Sequence, residues 1–115
     1  MLKSKKLPTY NDGVAAIYRE RERHTTFGAP VNVSALANMD KVMTLCYYEC
    51  SKREQDFDFA KRMSFDLDIK IRTHNIESVD SECKVVLDGL LYDIGSIDRA
   101  KREMYLYLGG GRPIE

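Results

Sequence analysis

Residues 65–74 read FDLDIKIRTH. Phe65, Leu67, Ile69, Ile71 and Thr73 occupy every second position, and Asp66, Asp68, Lys70, Arg72 and His74 fill the places between them. Successive side chains of an extended chain point to opposite faces, so this stretch is a ribbon with one oily side and one charged side. A slip of one residue in its pairing would turn every charge toward the core, so the pattern also pins the register. The stretch commits the fold to half-buried β-structure, and the reading extends from it in both directions.

Downstream, residues 75–82 are polar and read as a loop. KVVLDGLLYDI follows, with Asp88-Gly89 between two apolar runs. An Asp-Gly pair accepts the positive φ angles that a two-residue hairpin turn requires, which makes this the clearest hairpin signal in the chain. Gly95-Ser96 suggests a bulge or a kink. Residues 98–102 read as a charged turn. EMYLYL, residues 103–108, reads as the last strand, with Met104, Leu106 and Leu108 on one face and Tyr105 and Tyr107 on the other. The glycines at 109–111 read as the start of a flexible C-terminal tail, residues 109–115.

Upstream, Ser51 with Glu54 three positions later fits a capping box, and Phe57, Ala60 and Met63 recur at helical spacing. These features predict one short helix over about 52–62. KVMTLCYYEC, residues 41–50, is rich in β-formers and reads as a central strand. GVAAIYRERER, residues 13–23, reads as the first strand, although so charged a stretch also tolerates a helix. Residues 1–12 read as a flexible N-terminal segment. Residues 25–40 form a long connection with Gly28, Pro30 and no period, and connections beyond about 12 residues are usually functional. The count is five to six strands joined mostly as sequential hairpins. The expected fold is therefore all-β, a small antiparallel barrel or sandwich over residues 13–108, because closing the sheet removes exposed edges.

The chain has 115 residues, enough for one modest core, since a fold of this size removes roughly two-thirds of its unfolded surface from water. Lys plus Arg number 18 and Asp plus Glu number 18, so the formal net charge is zero. Nonspecific nucleic-acid binding draws on a basic surplus, which disfavours a free DNA or RNA binder. No apolar run approaches the roughly 20 residues that span a bilayer, and MLKSKKLP lacks the apolar stretch of a secretion signal. The expectation is a cytosol-like compartment and no membrane partner. Three cysteines, an odd number, argue against a disulfide framework.

No catalytic, metal or cofactor site is expected. Asp66 and Asp68 point the same way about 7 Å apart on a strand, close enough to share an ion, but Lys70 and Arg72 continue the same face as a solvated wall would. Cys46 and Cys50 would lie about 13 Å apart on a strand, too far for one zinc or a disulfide. His24 and His74 adjoin no recognised nucleophile motif. Two features remain as interaction signals. One is the face formed by Arg19, Arg21 and Arg23, leading through Phe27 into the long connection; a solvated edge strand would look the same. The other is the set of seven tyrosines, including Tyr47, Tyr48, Tyr105 and Tyr107, a residue type favoured at interfaces.

In their order and spacing these stretches resemble the phage head–tail joining proteins, also called head-closure, stopper or head–tail adaptor proteins. The resemblance runs over residues 42–108. It rests on a strand leading into a short helix with Arg53-Glu54, on an I-x-I-R strand at residues 69–72, on a hairpin ending in Y-x-I at 92–94, and on alternating Tyr and Leu at 105–108. Members often carry a Trp in the strand before the helix, and this chain has none. The resemblance implies a small barrel, part of the virion, that forms a ring below the portal and its adaptor after assembly in the host cytoplasm. Such a ring closes the DNA channel and presents a docking surface to the tail, letting DNA pass without sequence-specific contact. Candidate interface residues are Arg19, Arg21, Arg23, Phe27, Asp66, Asp68, Lys70 and Arg72, the last four as mixed-sign pairs between neighbouring copies. Rival expectations are an OB-like barrel that stacks single-stranded nucleic acid on tyrosines, another connector component such as a tail terminator or adaptor, and a small hydrolase using the paired acids.

Overall fold

A computed structural model describes residues 10–20 and 39–114. The alternation that opens the sequence reading becomes β3 (Leu67–His74), with Leu67, Ile71 and Thr73 buried and Asp68 and His74 exposed. Around it stand β1 (Gly13–Glu20), β2 (Met39–Cys50), β4 (Cys83–Leu87), β5 (Leu90–Arg99) and β6 (Glu103–Pro113), with α1 (Glu54–Arg62) inserted between β2 and β3. All neighbouring strands run antiparallel, and the sheet closes in the order β1-β2-β3-β6-β5-β4. The fold is thus the all-β barrel the sequence points to, with six strands and one short helix among the described residues.

Closure follows from the apolar periods. Ile17, Ile71, Val85, Met104, Leu106 and Leu108 project inward from four of the six strands and are fully buried. Inside them Thr73 keeps its hydroxyl by donating to the Cys46 carbonyl at 2.7 Å. That bond sits just past the short stretch where β2 pairs with β3, at residues 48–50 and 70–72. The 88–89 turn has the form its sequence demands, with φ of 49° at Asp88 and 79° at Gly89. Gly95 marks a register shift between Ile94 and Ser96. An added Cβ there would lie 2.5 Å from the Phe65 ring, so the bulge seats that ring against the wall. Loop 75–82 dips inward to bury Val79, and Arg99 holds it by donating to the carbonyl of Val79, to that of Ile76 at 3.0 Å, and to Asn75 Oδ1 at 2.8 Å. Arg99 is therefore the last residue of β5 rather than part of a five-residue turn, which shortens to 100–102.

Three local readings are corrected. The helix begins at Glu54 rather than Lys52, because its cap is Arg53 with Asp56 and not Ser51 with Glu54: Asp56 Oδ2 accepts the Arg53 N–H at 2.9 Å. Its buried side is also different. Ala60 is 2% exposed and Asp56 6%, whereas Phe57 and Met63 stand 47% and 54% exposed. The inner stripe is Asp56, Phe59 and Ala60, chosen because a cation on the barrel waits for Asp56. Finally, residues 109–111 are not a loose exit. β6 continues to Pro113, and Gly109 pairs with both Leu67 and Asp93. Gly110, at φ 64°, turns the strand through an irregularity that leaves Tyr92 opposite two residues. Glycine is needed at 109 for lack of room, since a Cβ there would stand 2.1 Å from the Asp66 carbonyl oxygen.

Candidate functional site

Antiparallel pairing lines up outward side chains from neighbouring strands. Tyr48 of β2 lies opposite Arg72 of β3, which lies opposite Tyr105 of β6, which lies opposite Asp98 of β5. The next row holds Cys50, Lys70, Tyr107 and Ser96. The two cations of the I-K-I-R strand thus stand between aromatic neighbours. The Arg72 guanidinium lies 4.7 Å from the centre of the Tyr48 ring, and Lys70 Nζ lies 5.4 and 5.1 Å from those of Tyr105 and Tyr107. A cation over an aromatic face is attracted by the ring's negative centre, which partly replaces the water it loses.

Each cation also has a carboxylate. Lys70 Nζ meets Asp56 Oδ1 at 3.2 Å, and Arg72 Nε faces Glu103 Oε2 at 3.5 Å, an ion pair too long for a good hydrogen bond. Tyr10 comes over this wall, donating its hydroxyl to Glu103 at 3.2 Å with its ring against His74. Burial works against the charge on Asp56, but the Arg53 N–H and Lys70 outweigh it and hold its carboxyl below the usual range. Burial likewise opposes the charge on Lys70, and Asp56 reverses the balance and raises it. Beside these pairs a groove of about 510 Å³ runs between Tyr48, Arg53, Lys70, Asp98, Tyr105 and Tyr107. The two cations are compensated before anything binds, so the wall offers shaped, amphipathic docking area more than free charge.

The other expected interface residues divide. Arg19 turns back onto its own chain, donating to the Ser78 carbonyl at 2.8 Å and pairing with Asp80 at 3.2 Å, so it clamps the 75–82 loop. Arg21, Arg23 and Phe27 lie outside the described residues. Asp68 is engaged internally: its carboxylate accepts the Gly111 N–H at 2.9 Å, and its carbonyl accepts Lys52 Nζ at 2.5 Å. Asp66 is exposed. Among the described residues no three His, Cys, Asp or Glu side chains gather where they could hold a metal ion. Of the cysteines, Cys83 is buried, Cys50 half-buried and Cys46 exposed; burial pushes the Cys83 and Cys50 thiols up, away from the reactive thiolate.

Sequence reading named Lys70, Arg72, Tyr48, Tyr105 and Tyr107 but did not single out Tyr10 and missed Asp56 and Glu103, the groups that complete their surroundings. No local pattern could have found them, because Glu103 and Asp56 reach β3 only through the β3–β6 register and the seating of α1. A second charged network crosses the opposite wall, where Lys84 Nζ meets Asp93 at 2.7 Å and Glu20 at 3.3 Å, and Arg112 meets Asp93 at 3.1 Å. At one end of the barrel Asp12, Glu49 and Asp88 rim a depression of about 430 Å³. The other end carries both signs, with Lys101 and Arg102 exposed in the β5–β6 turn and the Arg19–Asp80 pair at the end of β1.

No family model matches the chain, and no curated protein matches it.

Proposed function

We propose that this chain is a structural subunit of the phage head–tail connector. In this reading several copies form a ring below the portal and adaptor, close the DNA channel after packaging and offer a docking surface to the tail. The observation that supports it most is a convergence. Of the motifs carrying the resemblance, those at 53–54, 69–72 and 105–108 are far apart in the chain, yet Arg53, Lys70, Arg72, Tyr105 and Tyr107 come together on one wall of the barrel, while Tyr92 and Ile94 pack with the core. A preformed wall of tyrosines and compensated cations suits protein docking, where Tyr and Arg supply a large share of the binding energy. The two unlike ends suit a piece held between two different partners. The long segment between β1 and β2 is the part best placed by length to reach a neighbour or the channel.

The decisive experiment uses particles assembled without this chain. DNA-filled heads should leak their genome and fail to accept tails, and the purified protein added back should restore both. A Tyr48→Ala, Arg72→Ala double variant should fold yet restore tailing poorly. Heads that keep their DNA and join tails in its absence would refute the proposal. A second reading, an OB-like barrel for single-stranded nucleic acid, draws on the exposed Tyr48 ring beside Arg72. It requires salt-sensitive binding of a fluorescent oligothymidine. The ion pairs already made by Arg72 and Lys70 favour the connector reading over it.

A further inference from the structure

Helix α1 stands apart from the rest of the core. It covers a small apolar group of its own, in which Ala60 packs with Leu67 and Tyr107, flanked by Phe59, Phe65 and Tyr105, separate from the main barrel cluster. It has nine residues, and an isolated helix shorter than about 12 is marginal in water, so its order depends on staying docked. One carboxylate serves both needs. Asp56 Oδ2 caps the first turn through the Arg53 N–H, while Asp56 Oδ1 grips Lys70 on the barrel. The helix turns two large apolar side chains, Phe57 and Met63, to solvent. It ends at Arg62, and two residues on, Ser64 is held at φ 62°, a left-handed conformation that a residue with a Cβ adopts at some cost.

We propose that α1 is a latch that swings off the closed barrel as one unit, uncovering the Leu67–Tyr107 patch while all six strands stay paired. Cap and anchor share a single carboxyl group, so losing the Asp56–Lys70 contact frays the first turn at the moment it frees the helix. The barrel has no such dependence, because its six strands close on themselves and its core lies on the other side of the β3 and β6 backbones. The connector assignment is not needed for this inference.

Hydrogen exchange followed by mass spectrometry on the full chain at neutral pH tests it. Local openings span the whole range up to the global free energy, so amides 57–62 should exchange at least about 100-fold faster than those of β6 at residues 104–108, after correction for intrinsic rates. Asp56→Asn should speed exchange in α1 by a further tenfold or so and leave β6 within about twofold of wild type. Ala60→Gly, which loosens the helix and its packing without touching the ion pair, should speed α1 by at least about fivefold with β6 again unchanged. The proposal fails if α1 is as protected as β6, or if the variants speed both segments equally. If Asp56→Asn does not fold, the wild-type ratio and Ala60→Gly decide alone.

Discussion

Gly109→Ala isolates the claim that the barrel runs past Leu108. The added methyl carbon would sit 2.1 Å from the Asp66 carbonyl oxygen, on the backbone that leads directly into β3. Ordinary contact needs roughly 3.2–3.4 Å, so about 1 Å of separation must be found between two hydrogen-bonded strands. A flexible side chain could give that distance cheaply; a paired backbone cannot. Overpacked cores typically lose about 1–3 kcal/mol and sometimes more, and a clash with fixed backbone belongs at the upper end, so the expected loss is about 3 kcal/mol. With a urea dependence of about 1.5 kcal/mol per molar for a domain of this size, the unfolding midpoint should fall by about 2 M. The matched control is Gly89→Ala at the exposed hairpin tip, where nothing lies within 4 Å and only the φ of 79° is unfavourable. That variant should lose about 1 kcal/mol. Urea titrations followed by far-ultraviolet circular dichroism compare the two directly. Should Gly109→Ala prove as mild as Gly89→Ala, or fall within 0.5 kcal/mol of wild type on the roughly 5–15 kcal/mol scale of such domains, residues 109–113 do not form the seam described here.

Other outcomes follow from the same contacts. Leu106→Ala empties a fully buried site in the middle of β6 and should cost about 3–5 kcal/mol in urea unfolding. Thr73→Val keeps the shape but strands the Cys46 carbonyl, and should cost about 1–2 kcal/mol, whereas Thr73→Ser should recover most of the hydrogen-bond contribution. Burial alone would raise Asp56, Asp80 and Asp93, yet their hydrogen-bond and cationic partners leave all three carboxyls below the ordinary range. Folded values below unfolded ones give stability that is complete above the usual carboxylate range of about 4 and is lost as pH falls through the depressed values. Thermal midpoints measured from pH 7 to pH 3 should therefore fall on the acid side, and Asp56→Asn should flatten part of that slope.

What could be read in advance was whatever a period or a turn writes locally. FDLDIKIRTH gave β3, EMYLYL gave the inward and outward faces of β6, and Asp88-Gly89 gave the hairpin, because each pattern is fixed by the geometry of its own segment. The helix was found but its inner face was misjudged, since hydrophobicity favours Phe57 and Met63 while the barrel offers Lys70 to Asp56. The glycines at 109–111 misled for a related reason. Flexible exits and crowded seams both favour glycine, and only the approach of the Asp66 carbonyl separates them. Lys70 and Arg72 were legible as an outward face; that each stands between tyrosines and carboxylates depends on the β2–β3 and β3–β6 registers and on the seating of α1, which no single stretch encodes.

The closing of β1 against β4 has a consequence for how the molecule is made. Arg19 and Asp80, which join across that closure, stand 61 positions apart in the chain. β3 must likewise wait for β6, the last of the six barrel strands in chain order. Folds dominated by such distant pairings acquire their structure slowly, on the order of milliseconds to seconds. A nascent chain halted before residue 103 would hold β1 through β5 with β3 lacking its second neighbour, so the cylinder can close only once β6 has been made.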